Sequence, residues 1–228
     1  MSDPEMSIAV LIADDQALVR CGFRLLLEIE PDLEIVGEAT DGLDVVQQVR
    51  RLRPDIVLMD VRMPRVDGIE ATRRIMSLPQ CASRVVMLTT FDLDDYVYEA
   101  LRAGASGFLL KDVEPAILIA GIRAVHAGES LLAPQVTKRM IETFLTRRPA
   151  PDRAVAAQLA TLTTRERETL DLVAQGLSNA EIARTFVVAE TTVKTHVARV
   201  LLKLDLRDRV HAVIYAYEHG LVAPRELR

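Results

Sequence analysis

Residues 55–68 read DIVLMDVRMPRVDG. Four apolar residues, Ile56 to Met59, run without a break into Asp60. An unbroken apolar run of this length reads as a strand buried on both faces, as in a parallel sheet. A carboxylate at the end of such a strand is costly unless something there uses its charge. Met63-Pro64 and Asp67-Gly68 then read as a turn into a helix, with the glycine supplying backbone freedom.

The same rhythm extends to both sides. Candidate strands at 7–13, 33–39, 55–59, 84–89 and 107–110 alternate with helical spacing at 17–29, 42–52, 68–77, 94–103 and 114–127. Leu18, Phe23, Leu26 and Leu27 read as the core-facing stripe of the first helix. Strand–helix alternation of this kind predicts an α/β unit, a five-stranded doubly wound parallel sheet covered by helices on both faces.

At 228 residues the chain is comfortable for two domains. The net charge of −5 conceals a division. Residues 1–128 hold 13 Lys+Arg against 21 Asp+Glu, residues 129–160 hold 5 against 3, and residues 161–228 hold 10 against 9. An acidic front and a slightly basic rear direct any nucleic acid to the rear. No apolar stretch approaches the roughly 18 residues needed to span a bilayer, so no membrane association is expected. The opening MSDPEMS is acidic and shows no secretory leader. Cys21 and Cys81 lack metal-ligand spacing and are expected to be reduced, buried and inert, as in the cytoplasm.

The rhythm is lost over residues 129–160, where Arg147-Arg148-Pro149-Ala150-Pro151-Asp152 suits an exposed linker and 135–146 could add one helix. From residue 161 the chain reads as wholly helical. Thr163-x-x-Glu166 and Ser178-x-x-Glu181 are capping boxes, and Gly176 is a helix stop. A third helix is expected from Glu190 to Leu204 and a fourth from Arg207 to His219. A short helix turning tightly into a longer one is the helix-turn-helix arrangement, here in a small all-α, four-helix domain.

In an open parallel sheet, ligands bind at the carboxyl ends of the strands. Here those ends carry Asp14-Asp15, Asp60, Thr89-Thr90 and Lys111. Three converging carboxylates ask for a hard cation, and Mg²⁺ fits them best. With a cation and a lysine to offset an incoming phosphoryl group, an Asp carboxylate can act as nucleophile and become an acyl phosphate.

The motifs LIADDQALVR, IVLMDVRMPRVDGIE, VVMLTT and GASGFLLKD make the first 128 residues similar to the receiver domain of two-component response regulators. The resemblance implies a flavodoxin-like fold that accepts a phosphoryl group from a sensor histidine kinase. It implies Asp60 as phosphoacceptor, Asp14 and Asp15 as the acidic pair that places Mg²⁺, and the backbone carbonyl of Arg62 as a further ligand. It implies Thr89 and Phe108 as the switch pair and Lys111 as the phosphate-binding lysine. On phosphorylation Thr89 and Lys111 would be drawn toward the phosphate and Phe108 would turn inward. Asp112 stands where many receivers carry proline, though Lys-Asp is familiar among those joined to the tail considered next.

The tail LTTRERETLDLVAQGLSNAEIARTFVVAETTVKTHVARVLLKLDLRDRV resembles the LuxR-type DNA-binding domain. The whole chain is thereby similar to a NarL/FixJ-type response regulator, with a receiver at 6–128, a linker at 129–160 and a DNA-binding domain at 161–228. Val193, Val197, Val200, Leu201 and Leu204 form the core stripe of the third helix. Lys194, Thr195, His196, Ala198, Arg199 and Lys203 lie on its other positions, a face suited to a major groove, with Thr191 and Thr192 placed for phosphates. The resemblance implies promoter DNA as partner and a homodimer in the phosphorylated or DNA-bound state, with part of the fourth helix (Val210, Val213, Ile214, Tyr217) shared between core and pairing. Thr164 replaces a common proline, and Ala189 stands where a serine commonly caps the recognition helix.

A Mg²⁺-dependent phosphohydrolase with an aspartyl-phosphate intermediate is the competing class. It usually needs a second Asp two positions after the nucleophile, where this chain has Arg62, and it leaves the helical tail unexplained. A receiver switched by a ligand or dimer contact instead of phosphate is the third reading. The expected protein is not an enzyme, apart from self-catalysed phosphorylation and dephosphorylation of Asp60.

Overall fold

The computed structural model describes residues 7–90, 96–128, 131–132 and 153–221. Two compact units divide the chain, residues 1–136 and 137–228.

In the first unit strands and helices alternate: β1 (Ile8–Ala13), α1 (Ala17–Leu27), β2 (Leu33–Ala39), α2 (Gly42–Leu52), β3 (Ile56–Asp60), α3 (Gly68–Met76), β4 (Arg84–Thr89), α4 (Tyr96–Arg102), β5 (Gly107–Leu110), α5 (Pro115–His126) and β6 (Leu131–Leu132). All strands are parallel, in the order β2-β1-β3-β4-β5-β6. The five long strands were expected, and the two-residue β6 at the edge was not. The chain direction across the sheet reverses at β1, so the crevice of this doubly wound, flavodoxin-like fold opens between β1 and β3.

The apolar runs are buried on both faces, as read. Val10, Ile12, Ile56, Leu58, Val86 and Leu88 pack with Phe23 and Leu27 of α1 and with Leu118, Ile122 and Val125 of α5. The residues between them, such as Val57, Met59 and Met87, face the other way because side chains alternate along a strand. There the Thr72 hydroxyl of α3 lies 3.5 Å from Met87 Sδ.

Two expectations need correction. Leu18 is 86% exposed, because α1 carries two apolar stripes and it is Val19, Phe23 and Leu27 that pack against the sheet. Neither cysteine is buried: Cys21 is exposed and Cys81 partly so, both as thiols.

The second unit contains α6 (Arg153–Leu159), α7 (Thr164–Ala174), α8 (Asn179–Phe186), α9 (Glu190–Lys203) and α10 (Arg209–Glu218). Helix α6 falls within the span read as linker, whereas the expected helix at 135–146 and the stretch 147–152 lie outside the described residues. Both capping boxes form. Helix α10 begins two residues later than read, because the Asp208 carboxylate accepts the Val210 and His211 amides and fixes the helix start there. Leu170, Val173, Ile182, Val193, Val200, Leu204 and Val210 form the core among these helices. Val197 and Leu201 are only partly buried.

Candidate functional site

Asp60 is the last residue of β3 and pairs in register with Leu88 of β4. Asp14 and Asp15 follow directly on β1, the neighbouring strand across the crevice. The carboxylates of Asp14, Asp15 and Asp60 offer oxygens within 4.8 Å of one another. Asp14 and Asp60 are buried, while Asp15 is exposed at the mouth. Lys111, just past β5, bridges the two buried acids, with Nζ 2.6 Å from Asp14 and 3.0 Å from Asp60.

Burial pushes the Asp60 carboxyl above the ordinary carboxylate range; Lys111 pulls it down and Asp14 pushes it up, and burial prevails. Burial opposes the charge of Lys111 too, but its two carboxylate partners outweigh that and hold its ammonium above the usual range. The surroundings therefore favour the charged form of Lys111 and disfavour the charged form of Asp60. A hard divalent cation suits this donor set: carboxylate oxygens, one exposed to water, in a partly solvated crevice.

Thr89 is buried beside the crevice, and its hydroxyl donates to its neighbour's carbonyl, Thr90 O, at 3.1 Å. Phe108 is fully buried in this structure. Arg62 emerges from the β3–α3 loop with its guanidinium 5.4 Å from the centre of the Tyr96 ring of α4. This contact, not anticipated from the sequence, borders a cleft of about 720 Å³ that also touches Asp15, Met63 and Glu70. The turn at Gly68 is forced, because a Cβ there would lie 1.9 Å from the Asp60 carbonyl oxygen.

In the second unit α8, a turn and α9 form the helix-turn-helix. Val187 makes the turn in the left-handed region at φ 56°, a conformation that disfavours a β-branched residue. Ala189 provides no side-chain cap to α9, as read. Thr191, Thr192, Lys194, Thr195, Ala198 and Arg199 are exposed on α9. Lys194 lies 3.8 Å from Glu190 one turn back, an exposed contact that binding can readily exchange.

His196 is half-buried, so it belongs to the edge of that surface. Lys203, also exposed, ties α9 to the start of α7. Its Nζ lies 2.6 Å from Glu166 and donates to Thr161 O at 3.0 Å. Leu202, not singled out from the sequence, is 82% exposed and four residues beyond Ala198.

A doubly wound receiver fold and a helix-turn-helix unit on one chain define a regulator that joins an acid-lined crevice to a DNA-reading element. Comparisons with known proteins agree. Residues 10–123 match the response regulator receiver domain, and residues 160–216 match the bacterial regulatory proteins of the luxR family. The chain is 46% identical over 218 residues to the uncharacterized transcriptional regulatory protein YxjL of Bacillus subtilis, covering 94% of this chain and 97% of that protein. It is 41% identical to the response regulator protein VraR of Staphylococcus epidermidis, over 95% of this chain and 100% of that protein. Among solved structures, the response regulator ChrA of a heme-sensing two-component system matches with a TM-score of 0.52 and 33% identity, covering 95% of this chain and 100% of ChrA. The chain belongs to the LuxR-family, NarL/FixJ-type response regulators: it is a two-component response regulator with a LuxR-type helix-turn-helix DNA-binding domain.

Proposed function

We propose that a sensor histidine kinase phosphorylates Asp60 in a Mg²⁺-dependent reaction and that this modification switches sequence-specific DNA binding by α9. In this reading residues 6–128 act as receiver and 161–228 as DNA-binding domain, in the cytoplasm. The observation that carries it is the convergence of Asp14, Asp15 and Asp60 at the β1/β3 crevice, with Lys111 bridging the two buried acids.

A carboxylate oxygen of Asp60 attacks the phosphorus of a phosphohistidine. The new O–P bond forms as the N–P bond breaks, and the imidazole leaves with the bonding pair. Asp14, Asp15, Asp60 and the Arg62 carbonyl would hold Mg²⁺, which when bound supplies positive charge to the phosphoryl oxygens. Lys111 supplies the second positive charge. The Thr89 hydroxyl would exchange its bond to Thr90 O for one to the phosphoryl group, changing the end of β4 and the approach to α4. Phe108, already buried, would hold that state. The chain turns over no substrate beyond the making and loss of its own acyl phosphate.

On DNA, Lys194, Thr195, Ala198 and Arg199 would face base edges in the major groove, with Thr191 and Thr192 toward phosphates and His196 at the margin. Two copies would form a homodimer and read half-sites of a promoter spaced by their own two-fold symmetry. Selection from a random duplex pool, with and without acetyl phosphate, tests this reading. Phosphorylated protein should enrich paired half-sites, and Lys194→Ala should lose the preference. Undiminished affinity and preference in Lys194→Ala would show that the reading face lies elsewhere.

A further inference from the structure

The β3–α3 loop, residues 61–67, carries the Arg62 peptide that sits against Asp60. The Arg62 amide donates to the Asp60 carboxylate. The loop's ends are fixed by the sheet and by its own turn: Val61 N–H donates to Leu88 O at 3.1 Å, and Gly68 N–H donates to Val61 O at 2.9 Å. Its middle is fixed from outside, by the start of α2. Gly42 N–H donates to Val66 O at 3.1 Å, and the approach is so close that a Cβ at Gly42 would lie 2.3 Å from that oxygen.

Beside this contact Arg65 is ion-paired with Asp41. Asp41 divides its carboxylate between two roles. Oδ1 caps α2 by accepting the Leu43 and Asp44 amides at 2.9 and 3.1 Å, and Oδ2 faces the Arg65 guanidinium. The Asp41 side chain is 2% exposed, although nothing in the crevice chemistry requires a buried acid there. Arg65 itself stands in the left-handed region at φ 65°, a conformation that persists in a side-chain-bearing residue only when its surroundings impose it. A buried acid, a strained arginine and a jammed glycine thus meet at one point, three residues from Arg62.

We propose that Asp41 and Arg65 are a positioning pair: they preset the β3–α3 loop so that the Arg62 peptide faces Asp60 and completes the cation site. The inference rests on the phosphoacceptor reading above and deepens it. Without the pair, the loop apex keeps the Gly42–Val66 hydrogen bond but loses the ionic tie that holds Arg65 in its strained conformation. The Arg62 carbonyl then samples positions off the cation. Partners that orient a metal's direct ligands commonly govern affinity by an order of magnitude.

The test is calorimetric titration of the full chain with Mg²⁺, paired with acetyl phosphate labelling across Mg²⁺ concentration. The variants are Arg65→Ala, Arg65→Lys, Asp41→Asn and the Asp41→Asn/Arg65→Ala double variant. Asn keeps the helix cap, and the Arg65 side chain is 63% exposed, so each should fold. Arg65→Ala and Asp41→Asn should each weaken Mg²⁺ binding about tenfold. Each should raise the half-saturating Mg²⁺ for labelling in parallel, while the rate at saturating Mg²⁺ changes far less. Arg65→Lys should restore most of the affinity. The double variant should be no worse than either single one, as for two residues acting together. Wild-type Mg²⁺ affinity in both single variants would overturn the pair's role alone. Failure of the wild-type chain to bind Mg²⁺ would overturn it together with the phosphoacceptor reading.

Discussion

Replacing Lys203 by Gln separates a structural lysine from a DNA-contacting one. Glu166 is buried and accepts both the Thr163 amide at 2.8 Å and the Lys203 ammonium at 2.6 Å, so one carboxylate caps α7 and anchors α9. Lys203, foremost, and the Thr163 amide hold the Glu166 carboxyl at about 2, against 4.5 ordinarily. That difference corresponds to roughly 3 kcal/mol favouring the ionised, folded form. Lys203 is one-third exposed, so screening reduces its own share to about 1 kcal/mol. Because the folded carboxyl lies below its unfolded value, this stabilisation is complete above about pH 4.5 and is lost as pH falls toward 2.

Lys203→Gln should therefore lower the stability of the helical unit by about 1 kcal/mol at pH 7, with the deficit shrinking through that acid window. Urea unfolding of the full chain, read by pulsed hydrogen exchange over residues 163–204, measures it. The salt dependence of DNA binding should keep its slope, whereas a lost phosphate contact would lower the slope by about one. A variant as stable as wild type at pH 7, or a slope reduced by that amount, would refute this assignment of Lys203.

Two further outcomes follow from the same geometry. Ala189→Ser should supply the missing cap of α9, stabilising the helical unit by about 1 kcal/mol and raising its melting temperature by roughly 4–8 °C; an unchanged or lower value counts against it. Asp60→Asn should melt higher than wild type in EDTA at pH 7, since burial raises the Asp60 carboxyl and makes its ionised form a liability that grows as pH rises through its titration. The gain should shrink in acid, where wild-type Asp60 is protonated, and a lower melting temperature in EDTA would contradict this reading.

The legible parts of the fold were those with local causes. Short β-rich runs marked the five long strands, and the two capping boxes marked α7 and α8 because cap and acceptor stand three residues apart. The two residues of β6 are too few for any period to register. Helix α1 misled because Leu18 and Leu25, one heptad apart, form a second apolar stripe that stays exposed. Strand ends brought the acid cluster into view, since a parallel sheet gathers its carboxyl ends on one edge. The supports of the site were hidden by sequence distance. Lys203 reaches Glu166 across 37 residues, and neither that tie nor Asp41 with Arg65 leaves a local pattern. Phe108 shows a different limit: residue identity placed the switch position, but only coordinates reveal that its ring is already buried.

The most direct test of phosphoacceptor chemistry is intact mass after incubation with acetyl phosphate, for wild type and Asp60→Asn, with and without Mg²⁺. One added phosphoryl group on wild type, absent from the variant and absent without Mg²⁺, is the expected result. An adduct that persists in folded Asp60→Asn, or that forms equally well in EDTA, would contradict the assignment of Asp60 and its cation site.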